Sequence, residues 1–202
     1  MLDSTKRRPV KVNYDVAVRT DATCGFGMVI RNSAGVVMAS GLMRGPSFLS
    51  PKEAKITAMF FVISKAVELN FTTAVFESDC LPLVTSLKTR SMARSDLGTR
   101  ILNCLLASRQ FIASHITHIY KEWNVVAHSL AQLAFSIDLE EDIWTEKVPP
   151  SIIQFVIAHT IAFPQYISTS SPKKKKKKLF CLFYFIFILT GDVLAHVNFN
   201  RP

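Results

Sequence analysis

The chain has 202 residues, 49% of them hydrophobic, which allows one ordinary domain with a sizeable core plus extensions. Its formal net charge is +9, but residues 173–178 are six lysines, and without them the balance is only +3. The body is mildly basic, so the high isoelectric point says little about the fold. The four cysteines form no CxxC pair and have no metal-ligand spacing, which predicts buried free thiols in a reducing compartment: Cys24, Cys80, Cys104 and Cys181.

Both ends of the chain are basic. The opening "MLDSTKRRPVK" has no apolar core of the kind a secretory signal needs, so we expect a nuclear or cytoplasmic protein that is not secreted. "KRRPVK" and the lysine run both resemble nuclear signals, although basic tracts often match by chance.

The last 30 residues, 173–202, place the lysine run against eleven apolar residues, 179–189. A membrane-spanning helix needs about 20 apolar residues, and Asp192 interrupts any extension of this run. The pattern leaves two interpretations: a short tail anchor with a basic flank, or the translation of A-rich and T-rich non-coding DNA beyond the natural end. We favour the second, in which this tail is not part of the fold.

The first half of the chain predicts three strands, a helix and a fourth strand. "VKVNYDVAV" alternates as a strand does, and "GFGMVIRNSAGVVMASG" indicates two strands joined by a turn at residues 32–35. In "SPKEAKITAMFFVISKAVELN", Ser50 and Glu53 form a capping box around Pro51, which predicts a buried helix to about Leu69. A strand over 73–77 follows, and a strand, a long helix and a strand indicate a right-handed parallel crossover.

The second half predicts a short helix over about 81–88, a helix over about 96–113, a fifth strand in "HITHIYKE" and a last helix capped by Asn124. The element order is therefore β-β-β-α-β-α-α-β-α. This order predicts an α/β fold with a mixed five-stranded sheet flanked by helices.

Three carboxylates occupy comparable places in this layout. Asp15 lies on the first strand opposite its apolar face, Glu53 lies in the first turn of the long helix, and Asp79 ends the fourth strand. In a mixed sheet the first and fourth strands can be neighbours, with the helix packed across them, so these side chains can converge. Clustered carboxylates repel one another unless a cation neutralises them, and Mg²⁺ prefers oxygen ligands.

The stretch "AVFESDCLPLV" carries a second acid beside Asp79. Glu77 and Asp79 are two residues apart, so on a strand they share one face. Repulsion and desolvation both oppose this arrangement. Glu77 has no assigned ligand role and is expected either to lie near the site or to be solvated at the strand end.

Five segments in this order resemble the plant ribonuclease H-like domain, a reverse-transcriptase-like family often left by non-LTR retroelements: "KVNYDVAV", "GFGMVIRNSAGVVMASG", "SPKEAKITAM", "VFESDCLPLV" and "HIYKEWNVVAHSLAQLA". The resemblance implies a ribonuclease H-like fold over residues 10–137. Residues 1–9 form a basic extension, and 138–172, with "DIWTEKVPPSIIQFV", a C-terminal trailer.

The resemblance implies a catalytic metal site made by Asp15, Glu53, Asp79 and His128. Two Mg²⁺ or Mn²⁺ ions would then hydrolyse the RNA strand of an RNA–DNA hybrid, one activating water and the other stabilising the leaving oxygen. His128 falls in the "N-x-x-x-[DH]-x-L-A" motif, one helical turn after Asn124, where histidine often replaces aspartate in this family.

The expected partner is nucleic acid, recognised by hybrid shape and 2′-hydroxyl groups. Five residues are candidates for its contacts: Arg90, Arg94, Arg100, Lys121 and Asn124. We expect a monomer with no small-molecule cofactor and no membrane association.

Several alternatives remain open. Asp15 can also be an ordinary edge-strand acid, Glu53 a capping-box residue, Asp79 a cap for the helix that follows, and His128 an exposed histidine with no catalytic task. Val16 replaces the small residue usual after the first aspartate, and no flexible histidine loop is recognisable in "HIYKEWN". The alternatives to a hybrid-cleaving endonuclease are therefore a weak or inactive nucleic-acid-binding domain and, from the tail, a small tail-anchored membrane protein.

Overall fold

A computed structural model describes residues 9–21, 23–45, 50–89 and 95–162. The elements run in the order β1 (Val10–Val18), β2 (Cys24–Arg31), β3 (Val37–Gly45), α1 (Pro51–Glu68), β4 (Thr73–Ser78), α2 (Leu81–Thr89), α3 (Asp96–Ser108), β5 (Ala113–His118), α4 (Val125–Leu133), β6 (Glu141–Thr145) and α5 (Pro150–Ala162). Short 3₁₀ turns at Lys121–Trp123 and Ala134–Ser136 flank α4.

The sheet has the strand order β5-β4-β1-β2-β3-β6. β1, β2 and β3 form the antiparallel meander expected from the alternating segments, while β4 pairs in parallel with both β1 and β5. The long helix α1 makes the crossover that brings the chain from β3 to β4. The α/β class and the neighbouring positions of β1 and β4 are thus confirmed.

The sheet has six strands, so the predicted count of five is wrong. β6 pairs antiparallel with β3, and its sequence "EDIWT" is too short and too charged to alternate clearly. The predicted helix over 96–113 is also too long, since α3 ends at Ser108 and the chain then turns into β5. β6 and α5 both lie after residue 137, so the sheet and its packing continue into the segment interpreted as a trailer.

Two apolar layers cover the faces of the sheet. On one face, Val12 and Tyr14 of β1 and Phe26 of β2 pack with the buried side of α1. On the other, α4 and α5 pack on β2 and β3. Full burial of a large apolar side chain stabilises a protein by about 1.5–3 kcal/mol, and α1 alone buries Ile56, Met59, Phe61, Val62 and Ile63.

Two glycines of β2 allow α4 to lie directly on the sheet. A Cβ atom at Gly27 would lie 2.3 Å from the carbonyl oxygen of Ala127, and one at Gly25 would lie 2.2 Å from that of Ala131. Real Cβ atoms do not approach backbone so closely, so only glycine fits at both positions. Gly27 pairs with Asp15 across β1 and β2, and this close approach therefore brings α4 over Asp15.

Within the described ranges, no helix combines the length and the apolar character that crossing a membrane requires. The tail 173–202, on which the membrane interpretation depends, lies outside them.

Candidate functional site

Strands β1 and β4 bring Asp15 and Asp79 to the same edge of the sheet. The two strands run parallel, with Asn13 opposite Glu77. Each aspartate follows its paired residue by two positions, so alternation directs both side chains toward one face. The carboxyl group of Asp15 is nearly enclosed, with 4% of its side chain exposed, whereas that of Asp79 is 15% exposed. The predicted convergence of these two acids is present in the structure.

The cation between them is the ammonium group of Lys55, from the second turn of α1. Its Nζ donates hydrogen bonds to Oδ1 of Asp15 and, at 2.8 Å, to Oδ1 of Asp79. At an effective dielectric of about 20, two carboxylates about 5 Å apart would repel by roughly 3 kcal/mol. The Lys55 ammonium offsets this repulsion because it donates one charge-assisted hydrogen bond to each carboxylate.

His128 completes this group from α4. Its Nδ1 lies 2.8 Å from Oδ2 of Asp15. Because a carboxylate only accepts, Nδ1 carries the proton and donates it. We call Asp15, Lys55, Asp79 and His128 the rim cluster.

The pKa of Asp15 reflects a competition. Burial raises the pKa of this carboxyl group, but the hydrogen bond from His128 and the nearby Lys55 ammonium outweigh burial and hold it below its usual value. For Lys55 the same two effects act on the pKa in the opposite directions. Burial lowers the pKa of its ammonium group, yet Asp15 and Asp79 together raise it above its usual value. The Asp15–Lys55 pair is therefore ionised at neutral pH.

Glu53 does not join the rim cluster. Its carboxylate accepts from the backbone N–H of Ser50 at 2.8 Å, while the Ser50 hydroxyl accepts from the Glu53 N–H, so the capping box is complete. Hydrogen bonds from Ser50 lower the pKa of Glu53. Glu53 and Lys55 are two residues apart, or about 200° around the helix axis, and it is Lys55 that faces the aspartates. The predicted convergence of Glu53 with Asp15 and Asp79 is thus not what the structure shows.

These residues do not fit a divalent-metal centre. Over the part of the chain that the structure describes, no group of three or more His, Cys, Asp or Glu side chains is arranged to hold a metal ion. Mg²⁺ prefers near-octahedral oxygen coordination at about 2.0–2.1 Å. Between Asp15 and Asp79 the position is filled by an ammonium group, which is a donor and not a ligand.

The residues predicted to contact nucleic acid differ in position and in burial. Arg90 and Arg94 lie outside the described residues. Lys121 is exposed in the turn before α4, and Arg100 is partly exposed and donates to the Thr57 hydroxyl at 3.2 Å. Asn124 is buried, 1% exposed, and donates to the carbonyl oxygen of Tyr14 at 2.8 Å. Its side chain joins α4 to β1 and cannot reach a partner from that position.

A second polar group, the interior cluster, lies one step deeper on the same two strands. Asn13 donates to Glu77 Oε2 at 2.9 Å, and Arg31 donates to Asn13 Oδ1 at 2.7 Å. An Arg31 nitrogen lies 3.1 Å from Nδ1 of His159, whose Nε2 lies 3.2 Å from the carbonyl oxygen of Trp123. Since guanidinium only donates, Nδ1 accepts and Nε2 carries the proton, as in neutral imidazole. Glu77 is therefore neither solvated nor a ligand: it is a buried acid held by amide and cationic partners.

Burial determines the protonation of the interior cluster. It raises the pKa of Glu77, an effect that Lys11, Arg31 and Asn13 only partly offset. Burial lowers the pKa of Arg31 to about 10, so the guanidinium stays charged at neutral pH. Burial and the adjacent Arg31 hold the pKa of His159 well below its usual value.

Sequence reasoning missed Lys55, Arg31 and His159. A lysine in "KEAK" looks like an ordinary surface residue, and only its position two residues after Glu53 could have pointed to the opposite face. Arg31 and His159 are 128 residues apart, and no local pattern links them. Two of the four cysteines, Cys24 and Cys104, are buried free thiols as predicted, while Cys80 is partly exposed and Cys181 lies outside the described residues.

Comparison with solved structures defines the class. The RNase H1 of the archaeon Halobacterium salinarum NRC-1 superposes with a TM-score of 0.59 at 20% identity, covering 63% of this chain and 98% of that one. The N-terminal RNase H domain of a Mycobacterium tuberculosis protein gives 0.57 at 18%, covering 64% and 94%. LC11-RNase H1, solved with an RNA/DNA hybrid, gives 0.57 at 13%, covering 63% and 96%. The fold is ribonuclease H-like.

The family follows from the sequence match. The model of the reverse transcriptase-like family matches residues 13–134, which is more than half of the chain. The protein belongs to that family. A search of curated proteins finds no significant match.

Proposed function

We propose that this protein binds RNA–DNA hybrids through its ribonuclease H-like domain and does not hydrolyse them by a metal-dependent mechanism. The position of Lys55 carries this proposal. Two-metal hydrolysis requires acidic side chains free to hold cations beside the scissile phosphate. Here both aspartates accept hydrogen bonds from one ammonium group, and the helix glutamate is engaged in a cap.

Nucleic-acid binding is supported by the fold and by the family. LC11-RNase H1, which shares this fold, was solved in complex with an RNA/DNA hybrid. Arg100 and Lys121 are basic residues that lie between Asp79 and His128 in the sequence, and basic side chains that contact phosphates give most of the affinity for nucleic acid. Metal-dependent cleavage of the hybrid, as the family resemblance implies, would require Lys55 to leave both aspartates.

The experiment compares binding and cleavage in the same full-length protein. A labelled RNA–DNA hybrid is titrated in the absence of divalent metal at several salt concentrations, and cleavage is then followed with Mg²⁺ or Mn²⁺. We expect salt-sensitive binding and no cleavage above that of Asp79→Asn. Replacing Arg100 and Lys121 together with glutamine should lower the salt slope by about two, since each phosphate contact contributes about one.

Arg109→Gln is the matched control. Arg109 is exposed and lies nine residues after Arg100, about 13 Å further along the axis of α3. Its replacement should leave the salt slope unchanged. Cleavage that needs divalent metal and is lost in Asp79→Asn would overturn the proposed loss of hydrolysis, and absence of hybrid binding would overturn the binding role.

A further inference from the structure

The rim cluster contains a cation that belongs to the chain itself. Lys55 Nζ lies within hydrogen-bond distance of one oxygen from each aspartate, and only 19% of the Lys55 side chain is exposed. A lysine in an ordinary surface ion pair stays largely in water, and such a pair contributes little to stability. Lys55 is instead mostly buried, and its ammonium group joins Asp15 of β1 to Asp79, the residue that follows β4.

We infer that the Lys55 ammonium is a resident counter-ion that takes the place of a divalent cation between Asp15 and Asp79, and that a single change, Lys55→Glu, converts the position into a divalent-metal site. The geometry supports both the counter-ion role of Lys55 and the conversion by Lys55→Glu. Asp15 and Asp79 already converge on one point, and the side chain at position 55 already reaches it. A carboxylate on that helix position would add the third oxygen donor, which Glu53 cannot provide from the opposite side of α1.

Charge explains why one residue decides the outcome. With Lys55 present, Asp15, Asp79 and Lys55 together carry a single negative charge, and an entering divalent ion would also meet the ammonium's repulsion. With glutamate there, the three side chains carry three negative charges and repel one another until a divalent cation enters. The substitution should therefore make metal binding favourable and make stability depend on metal.

The test measures metal binding directly. Full-length wild type, Lys55→Glu and Lys55→Met are titrated with Mn²⁺, and free Mn²⁺ is followed by its electron paramagnetic resonance signal. We expect no saturable binding by wild type and stoichiometric binding by Lys55→Glu, with an affinity at least about tenfold higher, because the charge at position 55 changes by two units within about 5 Å of the ion. Mn²⁺ should also raise the melting temperature of Lys55→Glu and leave that of wild type unchanged.

Lys65→Glu provides the matched control. Lys65 lies on the same helix and also contacts two carboxylates, Glu68 at 2.8 Å and Glu141 at 2.7 Å, but Glu68 is 59% exposed. The change in charge is identical, whereas Glu68 and Glu141 are more exposed than Asp15 and Asp79. Equal Mn²⁺ affinity in Lys65→Glu and Lys55→Glu would overturn the inference, and so would binding by wild type that Asp79→Asn abolishes.

Two further outcomes keep the test decisive. If Lys55→Glu does not fold without metal, Lys55→Met removes the ammonium without adding an acid, and it should gain measurable Mn²⁺ binding over wild type. No gain in Lys55→Met would contradict the counter-ion role. We build on the proposed loss of hydrolysis, but Mn²⁺ is titrated without nucleic acid, so failure here and failure of hybrid binding are separate results.

Discussion

The rim cluster and the interior cluster are built on the same two strands, one step apart. Asn13 and Glu77 lie opposite each other, and Asp15 and Asp79 follow two residues later. The rim cluster combines two acids with Lys55, and the interior cluster combines one acid, Glu77, with Arg31. The interior cluster is closed by α5 and is fully buried, whereas the rim cluster is closed by α1 and α4 and stays open to solvent at Asp79 and His128.

The difference shows how burial changes the pKa of similar acidic groups. Burial prevails at Glu77 and raises its pKa, while hydrogen bonding and charge prevail at Asp15 and lower its pKa. A buried network of this kind is costly to disturb because its remaining members lose their partners without gaining water. The rim cluster keeps contact with solvent at Asp79 and His128, so we expect a change of cation there to require less rearrangement.

Breaking the interior cluster should have the largest effect. Arg31→Met leaves Asn13, Glu77 and His159 buried without the guanidinium, and removing one partner of a buried charged pair typically costs about 3–5 kcal/mol. Urea denaturation should show a loss of this size in the free energy of unfolding. Arg109→Met, at an exposed position, should change stability by less than about 0.5 kcal/mol. A similarly small loss for Arg31→Met would mean that the interior cluster is not structural.

A smaller loss should follow from lifting α4 off the sheet without touching either cluster's side chains. Gly27→Ala places a methyl group against the backbone of Ala127 and Ala131, at 2.3 Å from each, and overpacking of this kind costs about 1–3 kcal/mol. The imidazole signals of His128 in a nuclear magnetic resonance spectrum should shift, because the helix that holds it over Asp15 moves. Ser33→Ala, in the exposed β2–β3 turn, serves as the neutral control. Unchanged stability in Gly27→Ala would contradict the close packing.

The smallest effect should be an opposite dependence of stability on pH at Asp15 and Glu77. The lowered pKa of Asp15 means that its contribution is complete above its unfolded value of about 3.8 and is lost as pH falls through the folded value. Asp15→Asn should therefore flatten the acid limb of the stability curve. The raised pKa of Glu77 means that protonation favours the fold as pH falls toward the unfolded value of about 4.5. Glu77→Gln should remove that gain.

The measurement is the free energy of unfolding from urea titrations at pH values from neutral to about 3, for wild type and both variants. Two variants with the same change in pH dependence would contradict the assignment of different environments to Asp15 and Glu77. Each isosteric amide removes the charge and keeps the shape of the side chain, but it keeps only one acceptor oxygen. At Asp15 the carboxylate accepts from Lys55 and His128 through separate oxygens, so the comparison uses the change of stability with pH and not its absolute value.

Much of the fold was predictable because its signals are local. Alternation marked the meander β1–β3, and the capping box at Ser50 and Glu53 marked the start of α1 to the residue. The missing strand β6 carries two acids in five residues and pairs only at the edge of the sheet, so its local pattern was too weak. The overlong α3 shows the same limit, since the apolar residues after Ser108 serve the turn into β5.

The candidate site was only half predictable for a related reason. Strand alternation and the crossover were enough to bring Asp15 and Asp79 together, and the motif around Asn124 was enough to bring His128 near them. The choice between Glu53 and Lys55 depended on the rotation of α1 about its axis, which is set by the packing of its apolar side on the sheet.

The sequence by itself therefore determined the α/β class, the element order through α4, the convergence of two aspartates and the family resemblance, because each depends on short-range pattern or on order along the chain. Only the tertiary structure decided that Lys55 is the cation between those aspartates, that Glu77 is buried with Arg31, and that Asn124 faces inward. These outcomes depend on helix rotation and on contacts between distant residues. Electrostatic energies change steeply over the few ångströms that such rotations control.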